Sequence, residues 1–389
     1  MRLFRPSWKR VLAGIGIVLA LGLAALALLF ASEWTYISRL HGYPANLITN
    51  VAWYKPMEPV PGGGGGPLPR ARPDEVRIRP EALEEAAQLA DSRNASALLV
   101  IHDDRVAFEK HWRGHRPEDW TNSASMAKTI TALLIGIALD EGKIGSLDEP
   151  AATWLPAWRG DDRRKITLRH LLQMHSGLRP MGAYDDPTSD AAYLALGTDM
   201  RYVVDNVPAV EPPGKRFDYN NINFQALGFI IEKAVGRRHA EYLSEKLWKP
   251  LGAADAALWL DREGGSTHAS GFLFARVEDW AKVGLMFLHD GEWNGRRIVS
   301  RAYLREMLAV SPGESRYGLG IWLADNRFQA REQEELFLTE GTYYLDGHSK
   351  QRVYVLPARG LIVVRVGENG QRWDEAALSN AVVRGLPPP

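Results

Sequence analysis

The chain has 389 residues, no cysteine, and 47 basic against 47 acidic side chains, so it carries no formal net charge. That length can bury a large core, or two lobes that share one, while the missing cysteines exclude disulfides, thiol nucleophiles and lipid attachment through an N-terminal cysteine. Neutrality without a long basic run argues against a nucleic-acid track, and the mixed cluster Asp161-Asp162-Arg163-Arg164-Lys165 reads as a solvated turn.

Residues 11–31 contain no charge and follow Arg2, Arg5, Lys9 and Arg10. A helix of that length measures roughly 30 Å, the thickness of a hydrocarbon core. Residues 1–31 are therefore expected to form a transmembrane signal anchor, with the rest of the chain delivered to the extracytoplasmic side of a bacterial inner membrane. A cleaved signal peptide is the alternative, although the stretch exceeds the usual apolar region of about 7–15 residues. Residues 32–79 read as an extension and a Pro/Gly-rich linker, because the five glycines between Pro61 and Pro67 cannot hold a helix or strand cheaply.

The main domain is expected over residues 80–385. Residues 81–92 look helical, Ala95–His102 and Arg105–Lys110 form a strand pair around an Asp103-Asp104 turn, and the period changes at Ser125. Ile130, Leu133, Leu134, Ile137 and Ala138 recur at helical spacing, and Gly142 marks the stop. Further helices are predicted over 166–174, 224–235, 241–247 and 277–288, strands over 318–323, 351–357 and 361–366, and a closing helix over 373–383. The order implies a sheet built from about 80–120 and 315–385, with a helical lobe over about 125–290 inserted between its parts.

Three segments could carry chemistry. Ser125-Met126-Ala127-Lys128 opens the apolar helix, so the Lys128 amine can sit beside the Ser125 hydroxyl on one face. Free backbone N–H groups at a helix start favour developing negative charge, and a buried lysine can lose its proton near neutrality and act as a base. From these four residues alone, a capping serine and a solvated lysine fit as well. Tyr219 and Asn221, in a turn before a helix, can both face a cleft. The phenol or phenolate of Tyr219 could relay a proton, and the Asn221 amide could hold Lys128 or a substrate carbonyl; a core tyrosine and an Asx turn are the plainer readings. In Asp346-Gly347-His348-Ser349-Lys350-Gln351, Gly347 would let backbone approach a ligand. His348 is a candidate acid–base or substrate contact, or a plain surface histidine. His170 and His175 do not have the spacing of a metal pair.

At these segments the chain resembles the serine beta-lactamase and penicillin-binding-protein superfamily. The supporting stretches are SMAKTITALLIGIALDEGKIGSLDEPAATWLP at 125–156, ITLRHLLQMHSGL at 166–178, FDYNNINFQALGFIIEKAVG at 217–236 and GHSKQRVYVLP at 347–357. The class C beta-lactamase, DD-peptidase and esterase branch fits best, and within it the 6-aminohexanoate-dimer (nylon oligomer) hydrolases. The resemblance implies an α/β (α+β) beta-lactamase/transpeptidase-like fold, an antiparallel sheet flanked by helices. It implies Ser125 as acylated nucleophile, Lys128 as general base, Tyr219 as proton relay, and Asn221 and Gly347 in support. By the same register the backbone N–H groups of Ser125 and His348 would hold the oxyanion. No metal or organic cofactor is implied.

The usual third element begins with a basic residue, where this chain has Leu345, and Ser349 and Lys350 stand where the nylon-hydrolase branch often has glycines. A beta-lactam carboxylate clamp is therefore not expected. The substrate expected is a small ester, amide or peptide, with a penicillin-binding DD-peptidase or beta-lactamase as the alternative. A membrane-tethered, non-catalytic cell-wall or protein binding module is the competing class.

Overall fold

The computed structural model describes residues 8–332, 334–368 and 373–388. The strands are β1 Met57–Val60, β2 Ala95–His102, β3 Arg105–His111, β4 Thr121–Asn122, β5 Ala256–Trp259, β6 Leu273–Ala275, β7 Glu292–Trp293, β8 Arg296–Arg297, β9 Trp322–Leu323, β10 Tyr343–Gly347, β11 Gln351–Leu356 and β12 Leu361–Gly367. The helices are α1 Trp8–His41, α2 Pro80–Ser92, α3 Ala127–Asp140, α4 Leu168–Leu172, α5 Asp190–Leu196, α6 Met200–Asn206, α7 Asn221–Val235, α8 His239–Leu243, α9 Val277–Leu288, α10 Arg301–Met307, α11 Asn326–Glu332 and α12 Ala377–Val383.

Six strands form one antiparallel sheet in the order β3-β2-β12-β11-β10-β9, so its centre is made from both ends of the domain. Successive side chains of a strand point to opposite faces. In β12, Ile362, Val364 and Val366 join the core under α3 and α9, while Leu361 and Val363 join the core under α2 and α12. Both faces are thus covered, which is why these strands read as almost unbroken apolar runs. Each fully buried Val, Leu or Ile contributes roughly 1.5–3 kcal/mol, enough for the two faces to hold distant chain segments together.

Several predicted elements change length for local reasons. The strand expected over 318–323 shrinks to β9, because Gly318 lies against the Met307 carbonyl and Gly320, at φ +71°, lies against Phe224. The helix expected over 166–174 is only α4, closed at its start by a reciprocal cap between Thr167 and His170. The helix expected over 241–247 divides into α8 and a π-turn at Ser244–Trp248. Asp346-Gly347, expected just before a strand, ends a strand of its own, β10.

A second sheet, in the order β1-β5-β6-β4, had no clear sequence signal because its strands are two to four residues long. It pairs β1, from the N-terminal extension, with β5, and places β4 immediately before Ser125. The glycine run is in close contact with the body. A Cβ at Gly62, Gly63 or Gly65 would lie 2.2–2.4 Å from the carbonyl oxygens of Ala253, Lys249 and Gly252.

The expected transmembrane anchor is corrected by the structure. Among the described residues, no helix is long and apolar enough to cross a membrane. The apolar stretch does not end as a span at residue 31; α1 runs on through Glu33 to His41 and its last turns dock on the body. Tyr36 is buried and donates to the Pro187 carbonyl at 2.6 Å, and the Arg39 guanidinium donates to the carbonyls of Leu196, Gly197, Asp261 and Lys55. Membrane attachment, the membrane as a partner and the extracytoplasmic placement that followed from them lose their basis. Arg2 and Arg5 of the expected basic flank lie outside the described residues.

Candidate active site

Ser125 sits in a tight 3-10 turn, Ala124–Met126, directly ahead of α3. The residue before it, Ala124, has φ +47°. An L-residue enters that left-handed region at a cost of roughly 1 kcal/mol or more, so the surroundings must hold it there. Lys128, one turn on and only 2 % exposed, brings its Nζ to 2.8 Å from Ser125 Oγ. The amine also donates to the Ser270 carbonyl at 2.7 Å. Burial alone, with no carboxylate to offset it, lowers the Lys128 pKa to about 7. A neutral amine that donates to Ser270 keeps its lone pair for the Ser125 proton.

The Ser270 carbonyl is itself fixed. Thr131 Oγ1 donates to the Ala269 carbonyl at 2.7 Å, and the buried Gln225 amide clips the same segment by accepting from Ala269 N and donating to Thr267 O. A Cβ at Gly228 would stand 2.3 Å from that of Ala269, so α7 packs against this segment with no room for a side chain.

Tyr219 precedes α7, whose N-cap is Asn220. The Lys128 Nζ lies 5.0 Å from the Tyr219 ring centroid. Burial raises the phenol to about 12, with contact to Ser125 pulling weakly the other way, so it stays protonated at neutral pH. This selects the phenol over the phenolate of the two forms considered. Tyr317 and Trp322 pack on the same ring at centroid separations of 6.1 and 5.7 Å. Asn221 is half-buried at the first position of α7; its Nδ2 donates to the Tyr184 hydroxyl and its buried Oδ1 has no partner. The structure thus gives the Asn221 amide nitrogen to Tyr184, rather than to Lys128, and leaves its oxygen buried and unpaired.

Gly347 ends β10 against the nucleophile turn. A Cβ there would lie 2.3 Å from the Ser123 carbonyl, so glycine is what lets the strand edge come this close. His348 follows in a short turn with an exposed side chain. Lys350 does not reach toward Ser125; its Nζ donates to Glu375 at 2.9 Å. Asp346 pairs with the buried Arg352, which also binds Glu375 at 2.6 Å. Leu345, at the position usually basic, is fully buried in the core. Of the candidate histidines, His170 caps α4 and His175 bonds the Gln173 carbonyl.

A serine hydroxyl beside a buried lysine that has no carboxylate partner and a pKa lowered to about 7, with a protonated tyrosine across from it, is an arrangement able to support acyl transfer. The sequence profile of the Beta-lactamase family matches residues 81–382, and the chain belongs to that family, in the esterase-like branch related to 6-aminohexanoate-dimer hydrolases and penicillin-binding proteins. It is 28 % identical over 260 residues to the 6-aminohexanoate-dimer hydrolase of Paenarthrobacter ureafaciens, a match covering 63 % of this chain and 66 % of that one. With penicillin-binding protein 4* of Bacillus subtilis it shares 28 % identity over 39 % of this chain and 34 % of the other. The chain therefore spans less than two thirds of the curated relatives' length. Among solved structures, a Bacillus anthracis protein assigned as a 6-aminohexanoate-dimer hydrolase superposes with TM-score 0.71 at 23 % identity, covering 86 % of this chain and 92 % of that one. EstCE1, a hydrolase with promiscuous acyltransferase activity, superposes with TM-score 0.63 at 14 % identity, covering 79 % and 97 %. At those identities the structures establish the fold. The family supports serine-hydrolase-type chemistry in general and leaves the substrate open.

Sequence reasoning missed Asn122, Tyr54, Gln225 and the Ser270 carbonyl. None has a local motif. Only Gln225, three residues before Gly228 on the buried face of α7, had a signal, as a polar residue inside an apolar helix.

Proposed function

We propose that this protein hydrolyses small esters or amides through an acyl-enzyme on Ser125. One observation carries the reading: a fully buried lysine amine with no counter-charge stands 2.8 Å from a half-buried serine hydroxyl. Lys128 takes the Ser125 proton as Oγ attacks the carbonyl, and the backbone N–H groups of Ser125 and His348 hold the oxyanion. Tyr219, protonated at neutral pH, gives its proton to the leaving group and is reprotonated through Lys128. Water activated by the same pair then releases the acyl group.

The substrate class follows from what faces the site. Leu345 stands where a cation is usual, and Lys350 and Arg352 are both engaged by carboxylates, so among the described residues no free positive charge at this strand edge awaits a substrate carboxylate. Esters and linear amides should therefore be turned over faster than beta-lactams or D-Ala-D-Ala peptides. The similarity to a protein named 6-aminohexanoate-dimer hydrolase accords with the hydrolysis of a small substrate. The test is a panel of p-nitrophenyl esters, linear amides, D-Ala-D-Ala peptides and nitrocefin with wild type and Ser125→Ala, alongside fluorophosphonate labelling. Labelling and ester turnover that vanish in Ser125→Ala support the reading. No adduct with any acyl donor would remove it, and Ser125-dependent nitrocefin turnover without ester hydrolysis would replace the substrate class.

A further inference from the structure

The turn that carries Ser125 is held from outside the stretch that matches the family. Ala124, at φ +47°, has its N–H bound by Asn122 Oδ1 at 2.9 Å. The other end of the same amide donates from Nδ2 to the Tyr54 hydroxyl at 3.2 Å and to the Leu47 carbonyl at 3.3 Å. The Tyr54 hydroxyl donates to that carbonyl at 2.8 Å, so its oxygen is left to accept from Asn122. The amide has one possible orientation: its oxygen must face a backbone N–H and its nitrogen a backbone carbonyl. Asn122 and Tyr54 are both completely buried.

The segment supplying these partners is rigid in its own right. The Tyr54 ring packs among Trp53, Trp259, Phe272 and Phe274, at centroid separations of 4.9–5.7 Å. Asn122 N donates to the Ile48 carbonyl at 2.9 Å, and Glu368 accepts from the backbone N–H groups of Ile48 and Thr49. Residues 47–54 lie ahead of the matched stretch, which begins at residue 81.

From this geometry we infer that Asn122 is a positioning residue for the nucleophile, clamped by Tyr54 and Leu47 of the N-terminal extension. It holds Ala124 in its left-handed conformation, and thereby Ser125 Oγ within reach of Lys128. The extension is part of the catalytic apparatus of this chain. The inference rests on the acyl-enzyme reading, and its test separates the two.

Asn122→Ala should slow acylation by an activated ester, with the effect in kcat and fluorophosphonate labelling rate and KM within about threefold; misplacing a reacting atom by ~1 Å can cost ~100-fold, and ~30-fold is expected here. Tyr54→Phe, which leaves the Leu47 carbonyl to Asn122, should cost only ~3-fold and keeps the test open where Asn122→Ala does not fold. Ala124→Gly placed on Asn122→Ala should recover part of the rate, since glycine adopts φ +47° without restraint. Amide hydrogen exchange reads the clamp without any turnover: exchange at Ala124 should quicken at least ~10-fold in Tyr54→Phe while α9 keeps its protection. Unchanged exchange at Ala124, or a loss of rate that lies in KM and is not recovered by glycine, would overturn the clamp. Absence of labelling and turnover in wild type with the exchange result intact would instead overturn the hydrolase reading.

Discussion

Two of the buried cationic side chains among the described residues, Lys128 and Arg352, are treated in opposite ways. Lys128 has no carboxylate near it, and burial drives its amine toward the neutral form at about pH 7. Arg352, across the Gly347 strand edge, is as deeply buried but is gripped by Asp346 and Glu375. Removing a charge from water without a partner makes a base; removing it with two partners makes a structural joint. The same burial thus produces reactivity at one place and fixity at the other.

The largest effect should come from Lys128→Met, paired with Ser125→Ala. Each should lower ester turnover by about a thousandfold or more. Lys128→Met should at the same time stabilise the fold. A lysine held at about 7 in the native state and at its ordinary 10.5 when unfolded opposes folding. The unfolded chain binds the extra proton, so the penalty is full below pH 7 and fades as pH rises toward 10.5. Allowing for the two hydrogen bonds lost, at about 1 kcal/mol each, the gain at pH 7 should be about 2–3 kcal/mol by urea denaturation. A destabilised Lys128→Met would mean that this lysine is paired after all.

At the other cation the sign reverses. Glu375→Gln removes a carboxylate from both Arg352 and Lys350 and should destabilise by about 2–4 kcal/mol, because one partner of a buried pair is left behind. Turnover per folded molecule should change little. Equal loss of rate and stability would show the two regions to be coupled.

Acidity should separate catalysis from folding. kcat/KM should fall as pH drops through about 7, where Lys128 takes up a proton, and Tyr219, held near 12, should add no alkaline limb below about pH 10. Unfolding should follow at lower pH. Burial depresses His239 to about 4 and His268 to about 3, so below about 6.5 the unfolded state binds protons that the native state refuses. Stability should then decline by up to about 2.7 kcal/mol per pH unit for the two together, a slope that should flatten in a His268→Gln variant. The smallest effect is expected from Lys350→Met, less than about twofold on ester kcat/KM, since its amine is engaged by Glu375 away from Ser125. A larger loss, confined to anionic substrates, would place that charge in the cleft.

Much of the main sheet was legible because its information is local. β2, β12 and α9 stand where apolar runs and turn residues put them, and the spacing of Ser125 and Lys128 brings the two side chains together as expected. What could not be read depended on distant partners. The second sheet is assembled from strands too short to show alternation, and the contact between Tyr54 and Asn122 spans 68 residues. Residues 11–31 misled for a related reason: hydropathy reports that a segment is apolar, not that its helix continues to His41 and binds the body through Tyr36 and Arg39. Lys350 could be placed on a turn but not assigned to Glu375, which lies 25 residues on.

The glycine run at 62–66 has a consequence for how this protein can change over generations. At 62, 63 and 65 a hydrogen atom is the largest substituent the neighbouring carbonyls admit, whereas Gly66 faces open space. Random drift should leave its mark unevenly there: substitutions accumulating at 66, insertions rejected, and three sites retaining glycine in descendants whose surrounding loops have diverged. A stretch that looks like filler would then be among the most slowly evolving parts of the N-terminal extension, and a library of single substitutions scored for soluble folded protein would reveal that pattern directly.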